Sequence, residues 1–266
     1  SLVMGQGVTT WHYGLVARWW AEFNVGGDDV GFFRDAIQRC GEPALDAGCG
    51  TGRLLLPFLR SGMDVDGSDV SGDMLGWCAT KAEAEGLSAN LYTQAMHELE
   101  LPRRYRTVIV CGAFGLGGTR ALDLEGLRRI HAHLQPGGTL LMDHHLADRD
   151  SDYGWALAEG LDLPPSWPEQ GDRRRTSDGV ELELRTRLLE ADPVERTITR
   201  EICAREFVDG AEVRNETNSI VICGYSTTEV ESMLEGVGFG DIRVTGALED
   251  RPPRPEDEFV IFEAVA

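Results

Sequence analysis

One stretch in the first third of the chain is suited to close contact with a ligand. Asp46-Ala47-Gly48-Cys49-Gly50-Thr51-Gly52 places a glycine at every second position after an acid. Glycine has no Cβ, so the backbone can turn sharply there and approach a bound molecule closely. The dinucleotide fingerprint G-x-G-x-x-G does not fit, because counting from Gly48 puts Arg53 where the last glycine belongs. A second group, His144 and His145, could handle protons. An imidazole titrates near neutrality and can accept a proton from a hydroxyl or ammonium nucleophile. These two are the candidate catalytic residues, and the bland alternative is a hydrogen-bonded histidine at a strand end. Being adjacent, they point in different directions, so at most one faces a substrate. Asp143, His144, His145 and Asp148 imitate a metal cluster, but the spacing is poor and no metal is expected. Phe114 and Trp155 are candidate substrate contacts. Tyr153 and Trp167 can join Trp155 in a pocket wall, including a cation–π surface for an amine, or pack as core or lid. Arg173-Arg174-Arg175 is either a clamp for a carboxylate or a solvated charge run.

Such residues need a scaffold. Pro43 to Ala47 reads as a short buried strand that feeds the glycine loop and then a helix from Arg53 to Arg60. Strand and helix then alternate. Strands are expected at Met63–Gly67, Asn90–Gln94, Thr107–Cys111 and Thr139–Asp143. Helices are expected from a Ser71 cap to Glu85 and from Ala121 to Leu134. Continuous apolar strands in β-α-β-α order mean a parallel sheet covered by helices on both faces. An aromatic helix from Trp11 to Phe23, capped by Thr10, precedes it, followed by a helix from Asp28 to Cys40. His12, Trp11 and Trp19 are candidate entrance-helix residues. The pattern changes after His145. Residues 146–179 read as a long, partly helical loop. Three alternating runs follow at 180–190, 194–208 and 211–223, joined by short turns and hence antiparallel. A helix capped by Thr227 and strands at 241–246 and 258–264 close the chain.

The D-x-G-x-G-x-G loop resembles the first motif of the class I S-adenosylmethionine-dependent methyltransferases of small-molecule type. Val65-Asp66-Gly67-Ser68-Asp69-Val70-Ser71 with Asp73-Met74-Leu75 is similar to the family's second motif. Leu134-Gln135-Pro136-Gly137-Gly138-Thr139 resembles its turn into strand five, and Gly238-Phe239 its closing turn. The likeness covers roughly residues 40–145 and 225–266. It implies an α/β fold: a Rossmann-like seven-stranded sheet, mostly parallel with the last strand antiparallel, carrying an inserted antiparallel β lid subdomain. It implies S-adenosyl-L-methionine as cofactor, with Asp69 accepting both ribose hydroxyls, since a carboxylate offers two acceptor oxygens. The implied cofactor contacts are Tyr13, Trp20, Asp46, Gly48, Cys49, Gly50, Asp69, Val70, Met74, Ala95, Met96 and Cys111. Two positions depart from the family. Ala95 stands where an acid often meets the adenine amino group, and Arg106 stands where an aspartate commonly precedes strand four. Both bear on cofactor affinity.

The expected organisation is an N-terminal helical cap at 1–41, a cofactor-binding domain at 42–145 and 224–266, and an inserted lid, substrate or dimerisation subdomain at 146–223. The 266 residues carry 25 basic and 45 acidic side chains, a net charge of −20. That balance repels phosphate backbones and anionic lipid surfaces, so neither nucleic acid nor membrane is an expected partner. Six scattered cysteines without a C-x-x-C pair fit free thiols in a reducing cytoplasm. No signal-peptide pattern and no long apolar span is present. An exposed edge on the inserted sheet favours pairing as a homodimer or higher homo-oligomer. The expected reaction is methyl transfer from S-adenosylmethionine to a small-molecule acceptor, with nitrogen favoured over oxygen because no base–orienter dyad is visible. A natural-product intermediate or a metabolite fits. The alternatives are a protein or peptide substrate, or a non-catalytic module that binds the cofactor.

Overall fold

The computed structural model describes residues 7–145 and 160–266. Two sheets organise them. The larger has seven strands. β1 (Ala44–Ala47), β2 (Val65–Asp69), β3 (Leu91–Thr93), β4 (Tyr105–Val110) and β5 (Leu134–His145) are joined by β10 (Gly240–Gly246) and β11 (Phe259–Val265) in the order β10-β11-β5-β4-β1-β2-β3. The pairs among β1 to β5 are parallel, while β11 runs antiparallel to both β5 and β10. The sheet is buried on both faces, which is why its central strands are continuous apolar runs rather than alternating ones.

One face is covered by α2 (Asp29–Cys40), α3 (Leu55–Arg60) and α4 (Gly72–Ala84), which pack Phe33, Ile37, Phe58 and Cys78 against Ile109 and Leu141. The other is covered by α5 (Arg120–His133) and α6 (Thr227–Val237), whose Leu127, Ile130, Val230 and Leu234 meet Val108, Leu140 and Phe262. A short 3-10 turn at Met96–Glu98 sits beside α5. Ser71 caps α4 as expected, its Oγ accepting the Met74 N–H at 3.1 Å. Ser226, not Thr227, caps α6, its Oγ accepting the Glu229 N–H.

The second sheet has four antiparallel strands, β6 (Asp172–Arg175), β7 (Glu181–Asp192), β8 (Thr197–Val208) and β9 (Ala211–Cys223), in that order. β6 is the correction here: the arginine run is an edge strand, not a loop. It pairs with β7 because its charges are neutralised locally, Arg173 and Arg175 by Glu181 and Arg174 by Asp172. Arg173 also lies 3.7 Å over the Phe207 ring.

α1 (Gly14–Phe23) joins the two sheets, burying Leu15, Val16 and Trp19 against Leu182, Ile202 and Ala204. It starts later than the sequence suggests, and Thr10 does not cap it. Residues 8–10 are instead drawn into backbone pairing: the Thr9 N–H donates to Gly117 O, and the Val221 N–H donates to Thr9 O. The freed helix amides are met by distant carboxylates. Asp73 on α4 accepts the Gly14 N–H at 2.8 Å, and Glu216 on β9 accepts the Leu15 N–H at 2.8 Å.

Candidate active site

The glycine loop forms at the carboxyl end of β1. Gly48 and Cys49 both donate their N–H to the Ser68 carbonyl on β2, which fixes the loop against its neighbour strand. Gly48 has φ +78°, and a Cβ there would lie 2.6 Å from that of Ala113. No other residue fits without moving the loop that follows β4. Asp69 ends β2 and holds the loop from the side. Its Oδ2 accepts the Gly50 N–H and its Oδ1 the Ser71 N–H, each at 2.9 Å. Every carboxylate oxygen has a second lone pair, so Asp69 can still accept two hydroxyls. Burial raises its pKa, and the two backbone bonds act against that.

Asp46 is the more unusual acid. It is only 2% exposed, and what acts on its carboxyl is burial and the charges of Arg53, Asp69 and Asp29, with no hydrogen bond among the causes. Burial pushes its pKa up to about 7, opposed by Arg53 and reinforced by Asp69 and Asp29. Arg53 cannot serve it directly, because its guanidinium is held by both oxygens of Asp29, at 2.6 and 2.8 Å, and by the Gly26 carbonyl. A buried acid short of positive charge suits a cationic ligand. S-adenosylmethionine carries an ammonium and a sulfonium, so the donor set fits it.

Asp46, Gly48, Cys49, Gly50, Asp69, Val70, Met74, Ala95, Met96, Cys111 and Trp20 all line one cavity of about 410 Å³, and so does Phe114. That volume lies in the usual range of small-molecule sites, ~300–1,000 Å³. Tyr13 does not line it. The ring is buried and its hydroxyl has no hydrogen-bond partner, and burial, Asp69 and Asp73 raise its pKa in that order. Trp155 and Tyr153, with Asp148, lie outside the described residues. Trp167 packs under Arg187, 4.2 Å from the guanidinium, away from the cavity.

The structure does not bring His144 or His145 to the cavity. His144 is buried beside Phe114 and Tyr225, and its Nε2 lies 2.9 Å from the Tyr225 carbonyl, to which a proton there donates. Burial lowers its pKa. His145 points to solvent against the Phe259 ring. Strand alternation sends one inward and one outward, and the inward one meets the α6 side rather than the loop face. Asp143, next to them, accepts the Gly112 N–H at 2.7 Å and so anchors the loop after β4. Arg106 donates to the Pro136 carbonyl at 3.2 Å, a tie between β4 and the turn into β5.

The cavity wall also holds residues that sequence reasoning missed. Ile220 and Ile222 come from β9, Leu116 from the loop after β4, and Asp123 from α5. Leu116 pairs with Ile222, and Gly117 donates its N–H to Val221 O, so the inserted sheet is stitched to that loop. Nothing local marks these positions; they meet only because residues a hundred apart in the chain pair here. His12 also lines the cavity, stacked on Trp20 at 5.9 Å, with its Nδ1 2.6 Å from Thr10 Oγ1. Burial holds it neutral, with its pKa down to about 4.

A family model for a methyltransferase domain matches residues 44–138, the span of the glycine loop, Asp69 and the turn into β5. A Geobacillus sp. (strain WCH70) protein with methyltransferase in its name is 34% identical over 238 residues, which is 83% of each chain. Among solved structures, an S-adenosylmethionine-dependent methyltransferase from Clostridium acetobutylicum ATCC 824 has the same fold. Its TM-score is 0.66 at 14% identity, covering 89% of both chains. The sugar N-methyltransferase KedS8 from Streptoalloteichus sp ATCC 53650 superposes with TM-score 0.68 at 15% identity, over 100% of this chain and 96% of its own. With that relative, that domain and this fold, the chain belongs to the class I S-adenosylmethionine-dependent methyltransferases.

Proposed function

We propose that this methyltransferase acts on an amine nitrogen of a small molecule, with natural-product metabolism as the setting that fits. The observation that carries the reading is the size of the cavity and the part the inserted sheet plays in its wall. Ile220 and Ile222 of the inserted sheet, with Val8, His12 and the loop after β4, wall a cavity of about 410 Å³, the size of a small-molecule site, where a peptide would need a long groove. Nitrogen is favoured over oxygen by the proton chemistry available. A hydroxyl acceptor must lose a proton to a competent base as it attacks. His144 and His145 are off the cavity, and His12, with its pKa down to about 4, is a feeble base. An ammonium holds its proton far less tightly than a hydroxyl does, so a carboxylate on the cavity wall is base enough for an amine and not for an alcohol. The fold likeness to a sugar N-methyltransferase agrees with this reading.

Bound here, S-adenosylmethionine supplies a methyl group activated on a sulfonium. Asp69 would hold the ribose hydroxyls, and Asp46 would face the positive charge of the methionyl end. The backbone from Gly48 to Gly50 would lie under it. Val70, Ala95 and Met96 would enclose the adenine, Met96 as a polarisable packing partner in place of a side-chain acid. The apolar part of the wall lowers the local dielectric, so each carboxylate acts more strongly there than in bulk water. The test is to incubate the protein with methyl-labelled S-adenosylmethionine and an extract of its own cells. The label should appear in the small-molecule fraction, on nitrogen. Label in peptides would replace this reading with a protein substrate. No label, with cofactor binding intact, would leave a binding module.

A further inference from the structure

One carboxylate on the cavity wall has no part in holding the cofactor's ribose or methionyl end. Asp123 lies in the first turn of α5 and lines the same cavity as Asp46 and Asp69. Its Oδ2 accepts the Tyr225 hydroxyl, and the Cys223 thiol lies beside it. The cation nearest in the chain, Arg120, is committed elsewhere. Its guanidinium donates to the carbonyls of Glu195 and Gly224, pairs with Glu229 on α6, and lies 4.8 Å over the Tyr225 ring. His97, on the 3-10 turn, is the other basic group facing Asp123. No lysine or arginine is hydrogen-bonded to Asp123 among the described residues.

Asp123 is flanked by Tyr225 and Cys223 from the end of the inserted sheet on one side and by His97 of the 3-10 turn on the other. The Tyr225 ring lies 5.2 Å from that of Phe114. The Cys223 N–H donates to Gly115 O, and its thiol to Gly118 O. Asp123 thus stands where the inserted sheet meets the loop after β4, while the glycine loop and Asp69 belong to β1 and β2.

We propose that Asp123 receives the acceptor amine and takes its proton, with Tyr225 orienting the carboxylate. This rests on the amine reading above. An amine of ordinary basicity arrives as an ammonium. One N–H bond breaks, an O–H bond forms on Asp123, and the electron pair stays on nitrogen as the lone pair that attacks the methyl. The ammonium and carboxylate charges cancel, and the carboxylic acid returns its proton to solvent when the product leaves. Burial favours this neutral pair over two desolvated charges. It already pushes the Asp123 pKa up to about 6, while Tyr225, Cys223, Arg120 and His97 act to lower it.

The test uses the protein saturated with S-adenosylhomocysteine and two probes of one shape, benzylamine and benzyl alcohol, by titration calorimetry. Wild type should prefer the amine by about 10-fold or more, as a charge-assisted hydrogen bond implies. Amine binding should strengthen as pH rises through about 6. Asp123→Asn should lose both the preference and the pH step. Tyr225→Phe keeps the ring and the acid, so it should keep the preference and move the step to higher pH. The proposal is overturned if wild type shows no preference, if Asp123→Asn keeps it, or if Asp123→Asn weakens S-adenosylhomocysteine instead, which would assign the acid to the adenine amino group. The two readings fail separately. Label found only on oxygen sinks the amine reading. Label on nitrogen with an unchanged pH step in Asp123→Asn sinks the role of Asp123 alone.

Discussion

Replacing Asp46 with asparagine should make the cofactor-free protein's stability less dependent on pH. The folded pKa of about 7 stands well above the ordinary 3.8. A raised acid binds more protons folded than unfolded, so it costs stability as pH rises from the unfolded value to the folded one. At ~1.4 kcal/mol per pH unit, the carboxylate's burial costs about 4 kcal/mol at pH 8 and about 2 kcal/mol at pH 5. An asparagine side chain cannot ionise, so the Asp46→Asn variant should gain about 2–3 kcal/mol on wild type between pH 5 and pH 8. The comparison across pH is the diagnostic, because any packing change in the amide cancels from it. Urea unfolding at the two pH values, without cofactor, measures it. The same variant should bind S-adenosylmethionine about 10-fold or more weakly at pH 8, having lost the charge that faces the cation. Parallel pH profiles for wild type and variant would refute the reasoning, since Asp46 would then be ionised at no cost. Its burial would not be what tunes the site.

Three further outcomes follow from particular contacts. Asp69→Ala should weaken S-adenosylmethionine by roughly 1–3 kcal/mol, because it removes the ribose acceptor and frees the Gly50 and Ser71 amides; an unchanged calorimetric Kd counts against the ribose role. Gly48→Ala forces a side chain at φ +78° and a Cβ 2.6 Å from that of Ala113, so scanning calorimetry should show Tm lower by roughly 4 °C or more. An unchanged Tm would mean that the Ala113 loop gives way freely. His145→Ala, at an exposed position, should keep turnover within about 3-fold across neutral pH and change stability by less than about 0.5 kcal/mol. A loss of turnover beyond about 10-fold would return it to the site.

Local chemistry made much of this protein legible from its sequence. The glycine loop is readable because Gly48, Gly50 and Gly52 all adopt positive φ, a demand that few other residue types meet. Asp69 is readable because it ends a short buried strand, and Ser71 because its hydroxyl caps the helix that follows. The parallel sheet shows in β-branched runs such as Thr107 to Val110, and the inserted strands in their alternation and their tight turns. Tertiary structure decided the rest. Thr10 has the chemistry of a cap, yet Asp73 and Glu216, from α4 and β9, serve the α1 amides instead. The arginine run is a strand only because β7 supplies both its backbone partners and the carboxylate of Glu181. His144 and His145 have the right side chains for a base, but β5 meets the α6 side at that level, and neither reaches the cavity. Asp123, in sequence an ordinary first-turn acid, becomes a buried cavity acid because Tyr225 and Cys223 arrive from a hundred residues away. Backbone preference is local, and a residue's own neighbours reveal it. Burial, and with it the pKa and reach of a side chain, depends on which distant segments pack around it.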